Sequence, residues 1–184
     1  MNTDRFLEQC RSKAQEHKER LHRAIADLSD DALNTKTPQG EWSPYQVIEH
    51  LNLANGPYLR AMANVIFELP TGQNPEIKHT WFGNMLIKAV GPDSNAKPPK
   101  GMVPIKPMFG REVVDRWDEN HEAYIALAEG AKGRNIMKGK FSNPTLPIFK
   151  LNVADGFKVI SDHNERHVRQ IEQRCGALRA RGRT

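Results

Sequence analysis

The sequence predicts an all-α fold, a four-helix bundle with one long crossover between the second and third helices. Two observations carry this. Apolar side chains recur at alternating spacings of three and four in four separate stretches, and the strict alternation of a half-buried strand is nearly absent. A third observation fixes one boundary. Ser43, Pro44 and Gln46 together form a Ser-x-x-Gln start signal with proline at the first helical position.

The first helix is expected over Thr3 to Ser29, with Leu7, Cys10, Ala14, His17, Leu21, Ala24 and Leu28 in one continuous stripe. The second starts at Pro44 and runs toward Leu69, where Pro70 stops it, through Val47, His50, Leu51, Ala54, Tyr58 and Met62. Gly56-Pro57 inside it predicts a kink rather than an end. A short apolar helix is expected over Trp81 to Val90, followed by the Pro- and Lys-rich crossover from Gly91 to Gly110. The third long helix, Arg111 to Ala131, carries Val114, Trp117, His121, Tyr124 and Ala128 inward. Gly130 to Leu151 reads as a loop. The fourth helix starts near Asn152, a cap candidate with Asp155 three residues on, and its inner face reads Val153, Phe157, Ile160, His163, His167 and Ile171.

The chain has 184 residues, 38% of them apolar and 27% charged. That is too apolar for a disordered chain, and no run approaches the ~18 apolar residues of a membrane span. Cys10 and Cys175 are too few for a disulfide scaffold and fit a reducing compartment. With no export signal visible in Met1-Asn2-Thr3-Asp4-Arg5, the expectation is one cytoplasmic domain over residues 1–184, with no membrane partner. The net charge is +5. The excess sits at the end, where Arg166, Arg169, Arg174, Arg179, Arg181 and Arg183 stand against Glu172 alone. Arginines there complement a helix dipole. A nucleic-acid surface is the weaker alternative, since no aromatic residue lies among them to stack on bases.

Seven histidines are present. His22 and His79 occupy no special position and are expected in solvent. His17 and His121 read as buried neutral imidazoles. His163 and His167, four apart on one helix, bring two imidazoles onto one face. His50, on the inward face of the second helix, offers a third nitrogen. Three histidines would leave positions open for water or substrate, as in a catalytic rather than a structural site. Several buried imidazoles otherwise need hydrogen-bond partners, and no row of acids is seen to face them. The adjacent Glu49 and Glu165 point off the axis. Lys97, Lys100, Lys106 and Arg166 read as solvated, with contact to an anionic thiol as their alternative use.

These residues also carry a resemblance. Glu41-Trp42-Ser43-Pro44 followed by Val47-Ile48-Glu49-His50-Leu51 resembles the second-helix signature of the DinB/YfiT-like metalloenzymes. Asp162-His163-Asn164-Glu165-Arg166-His167 resembles their fourth-helix signature, and Asn143-Pro144 the loop before it. The resemblance implies an up-down-down-up bundle, in many members a homodimer, holding a divalent metal on His50, His163 and His167. Zn²⁺ or Ni²⁺ is expected before Fe²⁺. Characterised relatives include S-transferases that use bacillithiol or other small thiols, and a mycothiol-dependent isomerase. The leading expectation is therefore a metal-dependent thiol S-transferase or hydrolase acting on a small molecule, with a low-molecular-weight thiol as co-substrate. A non-catalytic bundle working through protein partners ranks second, and nucleic-acid binding by the arginine tail a distant third.

Overall fold

A computed structural model describes residues 1–181. The helices are α1 (Thr3–Ile25), α2 (Asp30–Leu33), α3 (Pro44–Ile66), α4 (Trp81–Val90), α5 (Glu112–Gly130) and α6 (Val153–Arg181). A 3₁₀ turn lies at Lys100–Met102, and two short strands, β1 (Lys140–Ser142) and β2 (Lys150–Asn152), form an antiparallel hairpin. The four long helices pack as a ring in which α1 and α3 each lie against both α5 and α6. Among the described residues no helix is long and apolar enough to cross a membrane.

Local chemistry explains the boundaries. Both halves of the expected box at α3 are present: Gln46 N donates to Ser43 Oγ at 3.2 Å and Ser43 N to Gln46 Oε1 at 3.1 Å. The helix continues through Pro57 to Ile66. The first helix ends four residues sooner than its stripe suggested. Ser29 caps a separate turn, α2, by accepting from Ala32 N, and Tyr45 Oη donates to Asp30 at 2.6 Å to hold that turn against α3. The expected loop over residues 130–151 contains the hairpin, whose three-residue strands are too short to leave a period in the sequence. Asn143 closes it: its Oδ1 accepts from Thr145 N and Leu146 N, and its Nδ2 donates to Tyr58 Oη on α3 at 2.9 Å.

The core is divided. One hydrophobic cluster gathers Leu7, Met62, Tyr124 and Phe157; the other gathers Leu21, Tyr45, Ile48, Trp117 and Ile171. Between them α6 buries Ser161, Asp162, His163, Asn164 and His167, and α3 buries His50, Asn52 and Asn55. A polar layer thus crosses the helical body. Gly156 lets α6 approach α3 on one side of that layer, since a Cβ there would fall 2.5 Å from Met62 Sδ.

Arg183 of the arginine tail lies outside the described residues. The other tail arginines are mostly paired within the chain: Arg169 with Glu165, Arg174 with the Trp42 carbonyl and Glu41, and Arg179 with Asp27. Asp155 joins α4 to α6. Its carboxylate is fully buried and accepts from Asn152 N, Thr80 N, Thr80 Oγ1 and His79 Nδ1 at 2.7–3.1 Å. His79 is therefore a joint residue rather than the solvent-exposed one expected, because its partner comes from a segment 76 positions away. Asp155→Ala should strand these donors and cost roughly 3–5 kcal/mol, read as a lower urea midpoint.

Candidate metal centre

His50 leaves α3 on its inward stripe, and His163 and His167 leave α6 one turn apart. The structure brings all three together. Ring centroids are 5.0 Å apart for His50 and His163, 4.7 Å for His50 and His167, and 4.5 Å for His163 and His167, all edge to face. One nitrogen from each lies within 4.8 Å of the other two. The residues are 2%, 9% and 5% exposed.

Hydrogen bonds decide which nitrogens are bare. His50 Nδ1 lies 2.8 Å from the Met102 carbonyl, which can only accept, so Nδ1 carries the proton and Nε2 the lone pair. His167 Nδ1 meets Gln170 Oε1 at 2.8 Å, which by the same logic leaves its Nε2 bare. That atom is buried with no partner among the described residues. His163 Nε2 sits 3.2 Å from His50 Nε2, so at most one of the converging lone pairs is satisfied by a ring proton. A buried acceptor left unmade is costly, and a cation among the three nitrogens would satisfy all of them. The residues fit a metal ion.

Electrostatics agree. Burial lowers the proton affinity of all three rings, to about 3 for His167 and well below the usual range for His163. The neighbouring rings and the Arg166 guanidinium push His163 and His167 the same way. Neutral imidazole is the form that binds a metal, so no proton opposes binding at neutral pH.

A cavity of about 760 Å³ opens beside the rings. Trp42, Tyr58, Leu86 and Met102 are among its walls, and Trp42 packs against the His50 ring at 5.1 Å. Arg166 is partly buried in the wall of this cavity, which corrects its reading as plain solvated surface; Lys97 lines the cavity but stays exposed, and Lys100 and Lys106 do not line it.

His17 and His121 stay outside the cluster. His17 Nε2 bonds Glu165 at 2.9 Å, and His121 Nδ1 donates to the Trp117 carbonyl at 3.1 Å. An acid does face one buried histidine, contrary to expectation. Burial works to raise the Glu165 carboxyl, but donors from Arg169, Arg20 and His17 outweigh it and hold the group near 2. Glu49 pairs with Arg116. The sequence reading missed the two groups that set the ring tautomers. Gln170 stands three residues beyond His167 on the same face and was findable. The Met102 carbonyl belongs to backbone in an irregular crossover and left no signal.

Fold and site together define a mostly helical protein with a buried three-histidine cluster able to hold a metal ion. The sequence model of the DinB superfamily matches residues 13–171, and the chain belongs to that superfamily. No curated protein and no solved structure matches the chain.

The lowered histidines predict an acid sensitivity. Below pH 6.5 the unfolded chain takes up protons that His17, His50, His121, His163 and His167 refuse when folded, so stability falls as pH drops from 6.5 toward 4.5. The slope is about 1.4 kcal/mol per pH unit for each such histidine. Urea melts of metal-stripped protein across that window should show it, and His121→Gln should remove about one proton from the slope.

Proposed function

We propose that this protein is a divalent-metal-dependent enzyme, a thiol S-transferase or hydrolase, with His50, His163 and His167 as ligands. One observation carries the reading: the buried Nε2 of His167, without a partner among the described residues, converges with two other imidazole nitrogens at the wall of a large cavity. A bound ion would supply Lewis acidity that lowers the pKa of a thiol or water near neutral pH. Three neutral nitrogens suit Zn²⁺ or Ni²⁺, with Fe²⁺ behind.

The chain's own residues do the rest. The Met102 carbonyl and Gln170 hold two rings in the ligating tautomer. Trp42, Leu86 and Met102 line the cavity with apolar surface that limits water. Among the described residues no side chain of the cavity wall is placed as a general base.

We read the long helices as up-down-down-up. In support, Arg11–Glu129 and Lys18–Glu122 pair α1 and α5 in opposite senses, while His17–Glu165 and Arg20–Glu172 advance together along α1 and α6. Glu49–Arg116 and Asn52–Asn120 advance together along α3 and α5. Both thiols are free and buried, which suits a cytoplasmic protein. The exposed Trp81, Met85 and Ile148 offer apolar area that a homodimer would cover.

Untagged protein should contain about one divalent ion per chain by elemental mass spectrometry, and His163→Ala should lose it. Added Zn²⁺ should raise the melting temperature of the wild type and leave the variant unchanged. Unaltered metal content in His163→Ala would remove the proposal.

A further inference from the structure

We infer that the cavity beside the histidines takes an organic acid with an apolar body, and that Arg166 binds its carboxylate. The inference rests on the reading above that this cavity is the substrate site, and it specifies the substrate's class.

The charges in the cavity wall do not balance. Four charged side chains line it: Glu41, Lys97, Arg166 and Arg174. Glu41 lies 3.7 Å from Arg174, whose guanidinium also donates to the Trp42 carbonyl at 2.6 Å. Neither Lys97 nor Arg166 meets a carboxylate among the described residues. Lys97 is exposed and keeps its water. Arg166 is only partly exposed, and its one hydrogen bond is a long 3.4 Å contact to the Ala96 carbonyl. A guanidinium carries five N–H donors in a rigid fork, so most of this one is unused. Its neighbours along α6 differ: Arg169 and Arg179 both hold carboxylates of this chain.

The surroundings set what could fill the gap. The nearby rings are imidazoles, neutral or cationic, and offer no negative charge to Arg166. Much of the wall is apolar, with Leu86, Val90, Pro98, Met102 and Leu146. The volume of about 760 Å³ falls within the range of small-molecule sites. A planar carboxylate matches a single guanidinium fork with two parallel hydrogen bonds, and the apolar remainder of the ligand would lie along the α4 and crossover side chains. Arg166 stands between His163 and His167 in sequence, so an acid held there keeps its chain within reach of the cluster.

Calorimetric titration of the full chain, stripped of metal by a chelator, tests this with octanoate, octyl phosphate and 1-octanol. Wild type should bind octanoate about tenfold or more tightly than octanol, and Arg166→Gln should lose about that factor for octanoate alone. Arg166→Lys should recover part of it. Octanoate binding unchanged in Arg166→Gln, or no preference over octanol in wild type, would overturn the inference. An equal loss of octanol binding would reduce Arg166 to shaping the cavity and also overturn it, while stronger binding of octyl phosphate would refute the carboxylate assignment. Because no ion is present in these titrations, their failure is separate from failure of the metal-content test.

Discussion

The structure depends on a layer of imidazoles and amides buried between two hydrophobic clusters. Desolvating such groups is unfavourable unless each donor and acceptor finds a partner, and the long helices supply those partners across one another. Asn55 donates to Asn164 Oδ1 at 2.9 Å, Asn52 to the Val113 carbonyl at 2.8 Å, and His17 meets Glu165. These bonds fix how α1, α3, α5 and α6 lie relative to one another. Within that layer the Nε2 of His167 stands out as a buried acceptor with no partner among the described residues.

The irregular parts of the chain serve this layer too. The crossover brings the Met102 carbonyl to His50 Nδ1 and forms part of the cavity wall. The segment before α4 is anchored by Asp155 at the start of α6, so α4 is held over the helix that carries two of the histidines. Asn143 fastens the hairpin to Tyr58, itself a wall residue. These segments place Phe82, Phe141 and Leu151 in the core and also set the shape of the site.

Much of this was legible in the sequence because helices repeat. A stripe with 3-4 spacing and a cap such as Ser43 are local signals, and His163 and His167 reveal their common face by being four apart. His50 joined them through its place on another inward stripe. What the sequence hid is non-local or belongs to the backbone. His79 looks unremarkable until Asp155 is brought to it, and the Met102 carbonyl has no residue-type signature. Arg166 reads as one more tail arginine until its neighbours' carboxylates are seen to be engaged elsewhere. The hairpin and α2 escaped because a three-residue strand or a single turn is shorter than any period.

The ligands sit on two different helices, so the space between those helices behaves as a caliper whose jaws are set elsewhere. Gly156, two turns from His163, lets α6 close tightly on Met62 of α3. A single methyl group at that position would wedge the jaws apart and spread the three nitrogens without altering any of them. The aperture that the three nitrogens would offer a cation is thus set partly by the size of a residue outside the cluster.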